Sequence, residues 1–174
     1  MARRRSVSRS MPLEWKTVTT QVTDTTGVSP TTQSVDLDLL PDEIAEIWKI
    51  DSTIDTGSIG ELDNNLDVAS YLSMDPDASA SPRTLSNLRD LEVFFTHIAA
   101  WEFLLTTTGV GLSPMFDSKI VSFAPHPILV GTNLGHVLHS ESTVDVTIDQ
   151  IITVYFKRRR ATASELNQIL LKRR

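Results

Sequence analysis

The chain has 174 residues, of which 40% are apolar, and it contains no cysteine. That length suits one domain with tails and a sizeable core, and the apolar fraction excludes a fully disordered chain. The lack of cysteine excludes disulfides, thiolate zinc sites and cysteine nucleophiles. No apolar run approaches the roughly 18 residues that a membrane-spanning helix needs.

The charge is sorted by position along the chain. Residues 1–16 carry five Lys and Arg against one acid, and residues 157–174 carry seven against one. The segment between them sets four Lys and Arg against twenty acids. Basic ends on an acidic body are typical of a protein that presents its termini to a polyanion.

The first dozen residues, rich in Arg and Ser, show no hydrophobic periodicity and predict a flexible arm. Guanidinium groups bind phosphate through paired hydrogen bonds, but a flexible arm cannot read bases. We therefore expect nucleic-acid binding that is non-specific and weakened by salt. The alternatives are a solubilising or nuclear-targeting arm and, for the C-terminal cluster, pairing with the acidic body. The predicted nucleic-acid-binding residues are Arg3, Arg4, Arg5, Arg9, Lys157, Arg158, Arg159 and Arg160.

The N-terminal third predicts strands separated by short breaks. A Thr- and Val-rich stretch from Glu14 favours a strand, and Gly27–Gln33 is typical of a turn. Residues 34–40 alternate apolar and acidic side chains, which predicts a half-buried strand. Pro41–Glu43 predicts the start of a one-turn helix, because Pro and acids are favoured in a first helical turn. Residues 48–54 alternate again and predict a further strand.

The middle of the chain is less decisive. Residues 55–83 are polar and predict a surface loop, with room for a short strand near Val68–Leu72. Residues 86–108 fit a helical stripe imperfectly and an extended, period-two pattern better, with His97 as the exception. We favour the extended structure.

The C-terminal third is rich in β-type runs. Three short strands are predicted at 119–123, 127–131 and 135–139. Residues 142–157 predict one long strand, or two joined at a bulge near Gln150, the single polar residue on an otherwise apolar face. Thr162 and Glu165 then match a capping box, so a short helix follows. Seven to nine short strands favour a mainly β fold, an antiparallel sandwich or barrel.

No residue pattern argues for catalysis. His126, His136 and His139 could in principle meet on a metal, but a spacing of three places side chains on opposite faces of a strand. Hydrogen-bonded or surface histidines are therefore favoured. Acid pairs such as Asp36/Asp38 and Asp145/Asp149 are read as solvated faces, although a divalent cation between subunits is conceivable. Phosphate-loop and nucleophile motifs are absent, so we predict no enzyme.

An arginine-rich arm, MARRRSVSR, followed by a small Cys-free β-domain with long loops resembles the capsid (coat) proteins of small icosahedral viruses. The nearest pattern is the single jelly-roll coat protein. This resemblance implies a basic arm at 1–13, a β-sandwich shell domain at 14–157, and a basic segment with a short helix at 158–174. It also implies a subunit that assembles with copies of itself and packages nucleic acid, without a membrane partner or a cofactor beyond an interface cation. Its location would be the virion, and the host cytoplasm or nucleus during assembly.

Three other functions remain open from the sequence. A non-assembling nucleic-acid-binding module would form a discrete small oligomer. A phage-type tail or head adaptor would form rings or partner complexes without needing residues 2–9. An enzyme would be a monomer whose melting temperature rises with a ligand.

Overall fold

The computed structural model describes residues 12–56, 64–74, 93–103 and 115–172. Within these ranges the chain forms seven β-strands and one α-helix, and every strand pairing is antiparallel. Across that part of the chain, no helix is long and apolar enough to span a membrane. The elements are β1 (Glu14–Val35), β2 (Glu43–Thr56), β3 (Asn64–Ser73), β4 (Val93–Phe103), β5 (Met115–Ser122), β6 (Ile128–Val130), β7 (Leu134–Arg160) and α1 (Ala163–Lys172).

Two long strands, β1 and β7, organise the whole fold. They pair with each other from Glu14 opposite Phe156 to Val35 opposite Leu134. On its other side, β7 pairs with β3 through its first half and with β2 through its second half. β4 lies beyond β3, and β5 and β6 lie beyond β2. Each long strand therefore contributes to two four-stranded sheets, β1–β7–β3–β4 and β1–β7–β2–β5.

The two sheets face each other across the interior. Within β1, Thr20 Oγ1 lies 2.9 Å from Gln33 Oε1, so the two halves of this strand oppose one another. Between sheets, Ser52 Oγ of β2 lies 2.9 Å from His97 Nδ1 of β4. Two four-stranded antiparallel sheets that share long strands in this order form a jelly-roll sandwich. The predicted mainly β sandwich class is confirmed.

The sandwich encloses two main apolar clusters, one toward each end. The first cluster contains Ile50, Phe95 and Ile152, and the second contains Ile54, Leu138 and Ile148. All six side chains are buried. Alternation along the strands produces this arrangement, because every second side chain of a strand points inward.

Several predictions about single elements are confirmed. β4 shows that the ambiguous segment is extended over 93–103, and β3 contains the short strand suggested near Val68–Leu72. Residues 142–157 lie in one strand, β7, whose pairings with β1 and β2 continue without a register shift at Gln150. The separate short strand predicted at 135–139 is wrong, because β7 begins at Leu134 and includes those residues. The rest of 86–108 and of 55–83 lies outside the described residues.

The turn predicted at Gly27–Gln33 is wrong, because these residues continue β1. A register shift between Thr25 and Gly27 absorbs the break in the pattern, and Pro30 then sits opposite His139. This half of β1 pairs only with β7 among the described strands, so it is an edge strand. Proline is tolerated at an edge, where its missing N–H removes no ladder hydrogen bond.

Two further local predictions need correction. β1 ends at Val35, and Asp38 adopts a φ of 54°, so residues 36–40 are not a strand although Leu37 is buried between exposed acids. Asp tolerates this left-handed backbone, and the Asp38 amide donates to Asp36 Oδ1 at 2.9 Å. The helix start predicted at Pro41–Glu43 is a turn that leads directly into β2.

Candidate nucleic-acid interface

The fold places the start of β1, where the N-terminal basic segment is attached, and the basic end of β7 at the same end of the sandwich. Glu14, at the start of β1, lies opposite Phe156 near the end of β7. The four predicted arm arginines lie outside the described residues, but the arm joins the sandwich at Pro12, beside this end. β7 itself continues through the boundary predicted at 157/158, as far as Arg160. The sequence did not indicate that the two ends would meet, because that depends on the pairing of the first strand with the last.

Arg158 is held between two segments of the body. Its Nε donates to Glu14 Oε1 at 3.0 Å, its Nη2 pairs with the other oxygen of the same carboxylate, and its Nη1 donates to the Asp38 carbonyl at 3.0 Å. The hydrogen bonds that Arg158 donates to the Glu14 carboxylate raise the pKa of Arg158. This bidentate pair fastens the end of β7 to the start of β1.

Arg159 joins β2, β7 and α1. It donates to Glu46 on β2 and, through Nη1 at 3.0 Å and Nη2 at 2.6 Å, to both carboxylate oxygens of Glu165 on α1. Glu165 also accepts from the Thr162 amide at 2.8 Å, while the Thr162 hydroxyl lies 3.3 Å from the Glu165 amide, which confirms the capping box. Arg159 and then Thr162 lower the pKa of Glu165 to about 2. The same carboxylate therefore caps the helix and anchors it to the sheet.

The other two basic residues of this cluster keep their charges more accessible. Arg160 has a side chain that is 86% exposed, with Nε 3.4 Å from an Asp42 oxygen. Lys157 Nζ lies 5.3 Å from the centre of the Trp48 ring, a cation–π arrangement. Pairing with the acidic body, the alternative noted from the sequence, is thus what Arg158 and Arg159 do. The role of all four residues in nucleic-acid binding stays a prediction.

The interior holds a second polar feature, which we call the polar layer. Each residue of this layer has, on its own strand, an inward neighbour two positions before it and another two positions after it. One of these neighbours belongs to the first apolar cluster and one to the second; for Gln150 they are Ile152 and Ile148. All of its side chains are buried. The polar layer consists of Thr20, Ser52, Ser70, His97, His136 and Gln150.

Hydrogen bonds connect the polar layer from sheet to sheet. His136 Nδ1 lies 3.1 Å from the Thr20 hydroxyl, and its Nε2 lies 3.0 Å from Gln150 Oε1 and 3.2 Å from the Ser70 hydroxyl. Burial lowers the pKa of His136 to about 4, although the hydrogen bond with Gln150 opposes the change. The ring is therefore neutral near pH 7, with Nε2–H donating to Gln150.

Ser52, His97 and Asp117 form a line that resembles a nucleophile, base and acid. Ser52 Oγ lies 2.9 Å from His97 Nδ1, and His97 Nε2 lies 3.0 Å from Asp117 Oδ2. However, Ser52 is 0% exposed and its oxygen accepts a hydrogen bond from Gln150 Nε2 at 2.9 Å. A substrate cannot reach this hydroxyl, so the line joins the two sheets and is not a catalytic site.

The residues considered for metal binding are dispersed. His136 points into the interior, and His139, three residues on, lies on the opposite face of β7 as predicted. His126 is exposed in the turn after β5. Asp38 pairs with Lys16 at 3.2 Å. Over the ranges that the structure describes, no three His or acidic side chains come together as a metal site.

A scan against protein-family models finds no match, and a search of curated proteins finds none. Among solved structures, the chain is similar to the BFDV capsid protein in its 60-mer form, with 10% identity and a TM-score of 0.43 over 86% of this chain and 93% of that one. Desmodium yellow mottle tymovirus follows, with 11% identity and a TM-score of 0.33 over 87% and 92%. The infectious bursal disease virus VP2 subviral particle has 13% identity and a TM-score of 0.36 over 86% of this chain and 38% of that one. All three are viral, and the identities and TM-scores are low.

Proposed function

We propose that this chain is a structural capsid protein that assembles with copies of itself into a closed shell and holds nucleic acid through its basic termini. The observation that carries the proposal is the placement of charge on the fold. The N-terminal arm and the end of β7 are attached at the same end of a jelly-roll sandwich. The body between residues 17 and 156 carries twenty acids and four Lys and Arg.

The charge placement gives each subunit a polarity. A single basic end can bind packaged phosphate, while the acidic remainder of the body repels further nucleic acid. The jelly-roll sandwich is one of the folds that viral shells use, which is consistent with this role. The working location would be the virion, with assembly in the cytoplasm or nucleus of a host cell.

The basic residues divide the work between them. The donors of Arg158 and Arg159 are occupied by Glu14, Glu46 and Glu165, so we assign these two arginines mainly to fastening the termini to the body. The arm arginines, with Arg160 and Lys157, then carry most of the phosphate contacts. This binding would be governed by charge and would not select a base sequence.

Assembly must overcome repulsion between acidic bodies. Apolar contacts between subunits supply one favourable contribution, and divalent cations placed between acids of adjacent subunits supply another. We therefore expect assembly to respond to divalent cations and to salt.

The first experiment is expression of the full chain, nuclease treatment and size analysis by light scattering with the 260/280 nm absorbance ratio. Uniform particles that protect nucleic acid would support the proposal. A discrete small oligomer with bound nucleic acid would favour a non-assembling binding module. Rings without nucleic acid would favour an adaptor.

Replacement of Arg3, Arg4, Arg5 and Arg9 with Ala should remove packaged nucleic acid and leave the sandwich folded. For single-stranded nucleic acid, the loss of four phosphate contacts should reduce the slope of log affinity against log salt by about 3. The matched control replaces the same four arginines with Lys, which keeps the charge and should retain most of the binding. Normal packaging by the Ala variant would show that the arm does not carry this function.

A further inference from the structure

The outer face of the β1–β7–β2–β5 sheet, which we call the open face, exposes large apolar side chains. Outward positions on neighbouring strands place them on one surface. Polar positions such as Thr153 and Ser118 separate them, so they do not form one continuous patch, but each adds apolar area that a bound peptide can cover. These side chains are Trp15 (67% exposed), Ile151 (47%), Ile120 (62%) and Phe116 (75%).

The open face also carries carboxylates that lack a cation. Asp55 of β2 is the direct cross-strand partner of Asp149 of β7, and like charges in directly opposed positions repel each other. Asp149 accepts a hydrogen bond from Gln21 at 2.8 Å, but no described Lys or Arg lies within ion-pair distance of either acid. Lys49 pairs instead with Asp51, at 3.3 Å. A cationic partner with some apolar surface would fit this face.

We propose that residues 1–11 of the same chain dock on the open face and are released when nucleic acid competes for them. This inference deepens the proposed function and rests on it for the release step. Residues 1–11 contain four arginines and no acid, together with Met1, Val7 and Met11. Their charge and apolar side chains complement those of the open face.

The point of attachment and the length of the arm both permit this docking. The arm joins at Pro12, and Trp15 three residues later already lies on the open face. From Pro12 to Gln21, opposite Asp149, is at most about 30 Å along β1 at about 3.3 Å per residue. Arg3, nine residues before Pro12, can extend back over about the same distance, so the arginines nearest the N-terminus can reach Asp149 and its partner Asp55.

The docked state should be weak and easily displaced. Each exposed ion pair contributes little, and salt screens it, but the covalent tether gives the arm a high effective concentration at the face. A nucleic acid has a denser row of charges than the open face and releases counterions on binding. It should therefore compete successfully for the arm and release it from the open face. Short or weakly charged polyanions would therefore not bind strongly enough to release the arm from the open face.

The chain offers a matched control for this idea. On the outer side of the other sheet, Asp67 of β3 is the direct partner of Glu141 of β7, and both are exposed. Asp55→Asn/Asp149→Asn and Asp67→Asn/Glu141→Gln therefore remove the same charge from equivalent opposed pairs on different sheets. Melting temperatures should confirm that both double variants fold.

Docking can be mapped directly because the chain has no cysteine. Ser8→Cys in the full chain, labelled with a photoactivatable benzophenone, should cross-link at low salt to peptides of β2, β5 and β7 that form the open face. The cross-links should be lost in high salt and in Asp55→Asn/Asp149→Asn, and kept in the control variant. Cross-links that are absent, or unchanged in Asp55→Asn/Asp149→Asn, would overturn the proposal. In a mixture with isotope-labelled, probe-free chains, cross-links between chains would overturn docking within one chain.

Affinity for a fluorescent single-stranded oligonucleotide supplies the second measurement. Asp55→Asn/Asp149→Asn should bind about threefold to tenfold more tightly than the unaltered chain, because the competing face is weakened, and should gain more than the control variant. An equal gain in affinity in both variants would show that the change in net charge alone explains it. That result would overturn the proposed competition between the open face and nucleic acid for the arm. If no variant binds the oligonucleotide but the cross-links persist, the proposed function fails while docking stands.

Discussion

The apolar clusters and the polar layer occupy the same interior, yet they contribute different things to the fold. The clusters stabilise the fold by burying apolar surface, and one buried apolar side chain can be exchanged for another of similar volume at little cost. The polar layer depends on donors and acceptors of several strands meeting, as His136 meets Thr20, Ser70 and Gln150. A slip of one strand by a residue would turn its own polar group outward and leave the remaining groups of the layer buried without that partner. The clusters therefore hold the two sheets together, while the polar layer specifies how their strands align.

The largest effect is expected from a charge placed in an apolar cluster. Val154 is 0% exposed, so Val154→Asp should lower the free energy of unfolding by about 4 kcal/mol or more, enough to unfold many domains. Denaturant titration followed by circular dichroism measures this. Ile151→Asp, on the outward side of the same strand, should cost less than about 1 kcal/mol. Equal effects at the two positions would contradict the described burial.

Acid should act on the polar layer at a defined pH. The pKa of His136 falls from 6.5 to about 4 on folding, so the unfolded chain binds the proton first as pH falls. The contribution of neutral His136 to the free energy of unfolding is complete above about pH 6.5, and it falls by about 3 kcal/mol as the pH approaches 4. Unfolding of the wild type and of His136→Gln across this range should show a stability difference that changes by that amount. Parallel curves would refute the assignment.

Replacing one member of the polar layer should lower the free energy of unfolding by more than the change in side-chain volume suggests. Gln150→Leu is similar in size, but it takes an acceptor from His136 Nε2 and a donor from Ser52, and we expect a loss of about 2 kcal/mol. Ile152→Val, one inward position away in an apolar cluster, should cost about 1 kcal/mol. The double variant His136→Leu/Gln150→Leu should cost less than the sum of its single changes. Strict additivity would show that the layer does not act as a unit.

The smallest effect concerns the surface anchor of α1. Glu165→Gln keeps the capping geometry and loses the charge that pairs with Arg159, whereas Glu165→Ala loses both. Amide hydrogen exchange in residues 163–168 should increase slightly in the first variant and further in the second. Because the pKa of Glu165 is lowered to about 2, its contribution should persist at mildly acidic pH and disappear as pH falls from about 4.5 toward 2. Unchanged exchange in both variants would contradict the anchoring role.

Local pattern predicted much of the fold because alternation is a property of single strands. It also marked two members of the polar layer, since His97 and Gln150 were the residues that broke otherwise apolar stripes. It could not show that they share one layer, because Gln150 and Ser52 are 98 residues apart. The turn predicted around Pro30 failed for a related reason, since pairing with β7 overrides the local signal.

The candidate site was predictable only in part. A run of four basic residues from Lys157 is visible in the sequence. The sequence does not show which acids accept hydrogen bonds from two of these residues, Arg158 and Arg159. Glu14 is 144 residues from Arg158 and Glu46 is 113 residues from Arg159, so only the fold brings each pair together. Glu165 was marked by its capping box, which says nothing about Arg159.

The central position of β7 has a consequence for biosynthesis. Among the described strands, β1 pairs only with β7, and β7 also pairs with one side of β2 and one side of β3. Neither sheet can therefore be completed before β7 has left the ribosome, and the high sequence separation of these contacts makes folding slow. A chain that stops before β7 should accordingly expose unpaired edges on β1, β2 and β3, which promote aggregation.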